Sequence, residues 1–448
     1  MIERVLVAGG GTGGHLFPGI AVVEELRRRN PELQVLFVGT ERGIENRVLP
    51  KLGEKLELID VKPLLGRSPL QLVKNLSLLP MSATQALSLL RTYKPQLVIG
   101  LGGYAAGPML LAAAGMRIPT ALLEQNAHVG FTNRMLARIV GRAYLTYAET
   151  ASLFGAKARV LGNPVRRSFV EAANLASHDP AGVEARARRV LVIGGSQGAK
   201  TLNEVVPMAL ALANVSAQGV AVLHQTGEAQ LEEVRKRYRG QGVDAEVVSF
   251  IDDMPRAYAS ASLVIGRAGA TTLAELCAIG KPSILIPYPH AAEDHQAKNA
   301  FAMERAGAAL SIREHELTAE GLASEVRELL RATTKRRSMA DAARKLGRPD
   351  AAAAIVDDLY AWLGMPVDGT LDSDVTSSSS SPSSGTPQAS GSVPPSADAE
   401  AAGVPARRIS RRPKVRRAEL RVKPLHALHV SHTAHAPHGT NDVLDITG

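Results

Sequence analysis

The chain has a single cysteine, Cys277, a single tryptophan and only 4% aromatic residues among its 448. One cysteine excludes an intramolecular disulfide framework and argues against a cysteine-ligated zinc site, as in a reducing compartment. The N-terminus lacks the basic, apolar and small-residue succession of a signal peptide and runs directly into Val5-Leu6-Val7-Ala8. The protein is therefore expected to stay inside the cell. Residues 95–116 carry no charge, but Gly100, Gly102, Gly103, Gly107 and Pro108 interrupt them. They read as strand, turn and short helix, not as a membrane span.

The charge is unbalanced, at +9, which is compatible with nucleic acid, an anionic membrane surface or a phosphorylated substrate. The length exceeds what one hydrophobic core usually organises, so two domains plus additional chain are expected. Apolar runs at 35–38, 56–61, 97–101, 120–123, 190–193, 220–223, 247–250, 263–265 and 283–286 alternate with amphipathic stretches. Such alternation predicts an α/β fold with parallel sheets. The chain also repeats itself. Arg4-Val5-Leu6-Val7-Ala8-Gly9-Gly10 is echoed by Arg189-Val190-Leu191-Val192-Ile193-Gly194-Gly195, which implies two similar domains.

The expected boundaries are 1–161 for the first domain and 162–348 for the second, with Gly162-Asn163-Pro164 as the joint. A closing helix is expected at 349–365. From 366 to 448 the composition turns to Ser, Pro, Gly and Ala, which predicts a disordered tail. Within it lie a basic cluster (Arg407, Arg408, Arg411, Arg412, Lys414, Arg416, Arg417) and histidines at every third position from His426 to His438. Anionic-lipid or nucleic-acid contact and weak metal capture are the functional readings. A solvated low-complexity segment accounts for both.

Three Gly-containing turns carry the chemistry. Gly9-Gly10-Gly11-Thr12-Gly13-Gly14-His15 follows a strand and opens a helix, so backbone N–H groups and the positive helix end can face an anion or a sugar. The spacing of Gly9, Gly11 and Gly14, with Glu41 beyond the second strand, also satisfies a dinucleotide fingerprint. That reading leaves Gly194-Gly195-Ser196-Gln197-Gly198 without a role, whereas two domains facing one cleft use both turns. His15, at the helix mouth, is either a base for an attacking hydroxyl, kept neutral by the helix end, or a histidine satisfying a loop carbonyl.

The third turn, in Gly266-Arg267-Ala268-Gly269-Ala270-Thr271-Thr272-Leu273-Ala274-Glu275-Leu276, leads into a helix bearing Glu275. This carboxylate can accept ribose hydroxyls or merely complement the helix dipole, and Thr271 and Thr272 can be ligands or caps. His290, Glu293, Asp294 and His295 collect polar groups after an apolar strand, but without H-E-x-x-H spacing. Asp294 and Gln296 read better as hydrogen-bonding partners of a sugar than as part of a metal site. Cys277 reads as a small core residue.

Taken together these blocks resemble the MurG family, with Glu124-Gln125-Asn126, Gly162-Asn163-Pro164-Val165-Arg166 and Phe250-Ile251-Asp252-Asp253-Met254 completing the pattern over roughly residues 1–363. Members convert lipid I to lipid II in peptidoglycan synthesis by adding N-acetylglucosamine from UDP-N-acetylglucosamine. The resemblance implies a GT-B fold of two Rossmann-like domains, inverting transfer, no cofactor and no metal. Carried over by motif, Thr12, Gly13, Gly14, Asn126 and Arg166 would lie near the donor, Ser196 at its diphosphate and the backbone of Ile251 at the uracil. Ala270, Thr271, Thr272, Leu273, Ala274 and Glu275 would serve ribose and phosphates, and Gln296 the transferred sugar. His15 would be the candidate base, with Glu124 as substitute, and the final helix would return to the first domain.

The family also implies a peripheral position on the cytoplasmic face of the bacterial inner membrane, in contact with anionic lipid and open to other cell-wall synthesis proteins as partners. Leu-rich residues 64–90, flanked by Lys62, Arg67, Lys74 and Arg91, are the expected membrane-contact segment, or else helices packed on the first sheet. The rival functions are a UDP-N-acetylglucosamine epimerase of related fold and a nucleic-acid-binding protein acting through its tail. Since the folded part has no aromatic-basic binding motif, nucleic acid is not an expected partner.

Overall fold

A computed structural model of the chain describes residues 2–41, 43–61, 79–178, 188–195, 197–291 and 294–366, with backbone only at 79–80 and 175–178. Ser196, Glu293, residues 64–78 of the expected membrane segment and the tail from 367 lie outside the described residues.

Among these residues two parallel sheets form. The first contains β1 (Arg4–Gly9), β2 (Gln34–Gly39), β3 (Lys55–Leu58), β4 (Leu97–Gly102), β5 (Thr120–Glu124), β6 (Arg142–Leu145) and β7 (Ala158–Val160), in the order β3-β2-β1-β4-β5-β6-β7. The second contains β8 (Arg189–Ile193), β9 (Ala221–Gln225), β10 (Ala245–Val248), β11 (Ala261–Gly266), β12 (Ser283–Leu285) and β13 (Ala309–Ser311), in the order β10-β9-β8-β11-β12-β13. This is the expected GT-B arrangement of two Rossmann-like halves.

Helices cover both faces of each sheet, so β1 and β8 are apolar at every position after the first. On β1, Val5 and Val7 join one apolar layer while Leu6 and Ala8 join the opposite one. On β8, Val190 and Val192 divide from Leu191 and Ile193 in the same way. Side chains on a strand alternate between faces, and a sheet covered twice turns that alternation into a continuous hydrophobic run.

In each sheet the strand order reverses beside the first strand, between β1 and β4 and between β8 and β11. Ligand crevices of open α/β sheets lie at the carboxyl ends of such strands, and the Gly turns follow β1, β8 and β11. Some expected strands shift: β10 starts and ends two residues before the expected 247–250, and β3 stops at Leu58. Strands β6, β7 and β13 lack a long apolar run, and the last two have only three residues each.

The last described helix, Ala351–Trp362, places Ile355, Val356, Leu359 and Tyr360 in an apolar layer of the first sheet. Asp358 on this helix accepts hydrogen bonds from Arg142 Nε (3.2 Å), Arg159 Nε (2.9 Å) and the Tyr144 hydroxyl (2.9 Å). Arg29 reaches it from the first helix, Gly13–Arg29, through Asp357 and the carbonyl of Ala353.

Candidate active site

The Gly turn after β1 has a shape that side chains would prevent. A Cβ on Gly9 (φ +127°) would stand 2.2 Å from the Gly102 carbonyl oxygen, and one on Gly103 (φ +77°) 2.8 Å from that of Gly10. Beneath the turn Glu45 is buried and accepts from the N–H groups of Gly11 (2.8 Å) and Thr40 (3.0 Å). Glu45 therefore organises this loop. Glu41, the residue at dinucleotide spacing, is exposed, and its backbone carbonyl accepts from Asn46.

A cleft of about 1060 Å³ opens between the two halves. Thr12, Gly13, Gly14 and His15 line one wall, with Asn126 and Arg166 beside them. Ile251, Ala270, Thr271, Thr272, Glu275 and Gln296 line the other. Leu273 is buried in the core of the second half, and neither it nor Ala274 is on the lining.

Glu124 also lies off the lining. Its buried carboxylate accepts from Asn126 N (3.0 Å), Asn126 Nδ2 (3.3 Å), Gly130 N (3.1 Å) and Asn133 Nδ2 (3.0 Å). With its acceptor positions occupied, it shapes the Asn126 loop and is poorly placed to remove a proton. Asp294 accepts from Arg313 at 2.9 Å and sits in the left-handed region (φ 56°), holding the turn that delivers Gln296. Gln296 Oε1 accepts from the Tyr288 N–H at 3.1 Å. Among the described residues no group of three or more His, Cys, Asp or Glu side chains could hold a metal ion.

His15 is half-buried, its Nδ1 3.3 Å from the Thr12 hydroxyl. Burial lowers its pKa; Glu124 and Glu45 oppose this, while His295 across the cleft adds to it. The imidazole is thus held neutral, as a base requires. Glu275 is buried, and burial raises its pKa to about 7 against the opposing pull of Arg166 and a 3.4 Å hydrogen bond from the Tyr258 hydroxyl.

Arg166 packs against the rings of Phe17 (4.4 Å to the centroid) and Phe169 (5.1 Å). Its Nη2 is 3.8 Å from Glu275 Oε1, beyond hydrogen-bonding distance. Both Nε and Nη2 are buried without a hydrogen-bond partner. Unsatisfied guanidinium donors are costly, so their position beside the cleft calls for an anionic or hydroxyl-bearing ligand.

Other lining residues make contacts that the sequence does not show. Arg47 lies over the Phe250 ring at 4.5 Å and Lys51 meets Asp252 at 2.8 Å, both across the halves. Arg267 donates to the carbonyls of Ile286 and Pro287 and pairs with Glu314, fixing the Tyr288 loop. These partners are far apart in sequence, and only the fold brings them together.

Residues 5–145 match the glycosyltransferase family 28 N-terminal domain and residues 189–355 its C-terminal domain. Over 355 residues, 79% of this chain and 91% of the relative, the chain is 50% identical to the UDP-N-acetylglucosamine–N-acetylmuramyl-(pentapeptide) pyrophosphoryl-undecaprenol N-acetylglucosamine transferase of Myxococcus xanthus. The chain belongs to the MurG family. The crystal structure of Acinetobacter baumannii MurG superposes with a TM-score of 0.62 at 30% identity, covering 80% of this chain and 99% of that one. A UDP-GlcNAc 2-epimerase from Neisseria meningitidis, bound to UDP-GlcNAc, superposes at 0.57 with 15% identity over 80% of this chain and all of that one. That likeness is one of fold, shared by the MurG family and the epimerases. Cys277 takes no part in the site: it is buried, with its thiol pKa pushed up to about 12 by burial.

Proposed function

We infer that the chain transfers N-acetylglucosamine from UDP-N-acetylglucosamine to the C4 hydroxyl of the N-acetylmuramyl sugar of lipid I, producing lipid II for peptidoglycan synthesis. The observation that carries this reading is the pairing, in one cleft, of an imidazole on one wall with a buried carboxylate on the other, and between them a buried guanidinium with unsatisfied donors. The acceptor oxygen attacks the anomeric carbon from the face opposite the diphosphate. As the new C–O bond forms, the anomeric C–O bond to UDP breaks, and the configuration inverts. His15 takes the hydroxyl proton. Charge on the departing diphosphate is met by Arg166 and by backbone N–H groups of the Gly turns. Glu275 accepts from the ribose hydroxyls, the backbone at Ile251 holds the uracil and Gln296 orients the transferred sugar.

The enzyme works at the cytoplasmic face of the inner membrane as a peripheral protein, touching anionic lipid and meeting other cell-wall synthesis proteins there. Among the described residues no helix is long and apolar enough to cross a membrane. Support for a surface contact comes from exposed Leu111, Phe131, Met135 and Ile139 on the first half, with exposed Arg134 and Arg138 beside them. In the expected segment, Ala86 and Leu90 instead point into the first half's core.

The test is calorimetric titration with UDP together with a product assay. Arg166→Ala and Glu275→Ala should weaken UDP binding about tenfold or more. Conversion of UDP-N-acetylglucosamine to its C2 epimer without acceptor would contradict the assignment.

A further inference from the structure

Behind the Gly turn after β8 lies a chain of buried polar side chains, off the cleft lining, that the transfer step does not use. The Tyr238 hydroxyl is 2.9 Å from His224 Nδ1, and His224 Nε2 is 3.0 Å from Asn203 Oδ1. Asn203 Nδ2 donates to the Thr226 carbonyl at 3.0 Å and to Gln230 Oε1 at 2.7 Å. His224, Asn203, Thr226 and Tyr238 are all buried. These contacts fix the protons. Because the Asn203 amide nitrogen faces two acceptors, its oxygen faces His224, so His224 donates from Nε2 and accepts from Tyr238 at Nδ1. Burial pushes the His224 pKa down to about 3, leaving one neutral tautomer.

The far end of this chain touches the donor-side turn. A Cβ on Gly198 (φ +75°) would stand 1.8 Å from the Thr226 carbonyl oxygen, and one on Gly227 (φ +75°) 2.5 Å from that of Gln197. The two loops therefore rest backbone against backbone. Gln225 Nε2 adds a 3.1 Å bond to the Gly195 carbonyl. A displaced Thr226 carbonyl would displace the turn with it.

We propose that Asn203, His224 and Tyr238 are positioning residues for the donor's diphosphate, holding Gly195, Gln197 and Gly198 of the turn after β8 in register by anchoring the Thr226 carbonyl on which Gly198 rests. The proposal rests on the assignment of that turn to the donor diphosphate. Asn203→Asp keeps the acceptor for His224 but sets a carboxylate oxygen against the Thr226 carbonyl. His224→Leu cuts the chain, whereas His224→Gln can supply a donor and an acceptor at similar reach.

The experiment measures steady-state kinetics with UDP-N-acetylglucosamine and a lipid I analogue, and UDP affinity by calorimetry, on full-length protein. Asn203→Asp and His224→Leu should raise the donor KM and the UDP Kd about tenfold, leaving the lipid I KM and kcat within about twofold of wild type. His224→Gln should restore most of the loss. Tyr238→Phe, which removes only the outermost bond, supplies the same readout should the other variants fail to fold, with a donor KM raised about threefold. Folded variants that bind UDP as tightly as wild type would overturn the proposal, as would a loss confined to melting temperature. Wild-type protein that binds no UDP would instead overturn the donor-site reading itself.

Discussion

The hydroxyl of Thr271, at the start of the Ala270–Ile279 helix, donates a 2.8 Å hydrogen bond to the carbonyl of Gly14 in the opposite half. Asn163 Nδ2, in the joint between the halves, approaches the same hydroxyl at 3.5 Å. Thr271 thus bridges the two Gly turns instead of capping its own helix. Thr271→Val keeps the shape and removes the bridge. We expect kcat/KM for the donor to fall about tenfold with melting temperature little changed, as read by initial-rate kinetics and calorimetry.

Glu275 gives a pH dependence whose sign can be worked out. Its pKa in the folded chain is about 7, above the ordinary 4.5. Between those values the unfolded chain has released a proton that the folded chain retains, so Glu275 costs stability as pH rises from 4.5 through 7. Glu275→Gln should therefore raise the melting temperature more above pH 7 than near pH 4.5. The same variant should bind UDP more weakly, and the wild-type donor KM should rise as pH falls below 7.

For His15, a pKa lowered from 6.5 by burial keeps the base neutral throughout the neutral and alkaline range. The acidic limb that His15 gives to kcat/KM for the acceptor should therefore lie below pH 6.5. His15→Ala should reduce kcat by about 10²–10⁴ at saturating substrates while leaving UDP affinity near wild type. An unchanged kcat would assign His15 to loop structure alone.

Asp358 joins the last described helix to three side chains of the first half. Asp358→Ala leaves Arg142, Arg159 and Tyr144 without that acceptor, which should cost about 1–3 kcal/mol, measurable by urea denaturation. The donor KM should stay the same, because neither Asp358 nor its three partners line the cleft.

Much of the fold was legible because strands covered on both faces leave continuous apolar runs, and because the β1 and β8 segments repeat one another. The Gly turns mark the cleft for the same reason that they form it: Gly9 and Gly198 sit where backbones meet too closely for a side chain. What escaped depends on contacts distant in sequence. Glu45 reaches back 34 residues to Gly11, and Arg47 meets Phe250 from the other half. Glu124 looks like a base in the sequence, but four donors from its own loop and the adjoining helix claim its carboxylate. Leu273 sits inside the run read as a ribose contact, yet the helical turn directs it into the core.

The central claim is tested most directly by incubating the full-length protein with UDP-N-acetylglucosamine, labelled in the sugar, and a lipid I analogue in detergent with EDTA. The account predicts one labelled sugar joined through a β linkage to each acceptor, with release of UDP and loss of transfer in Arg166→Ala at donor concentrations that suffice for wild type. Label that remains in the nucleotide sugar or appears in its C2 epimer, with the acceptor unmodified, would contradict it.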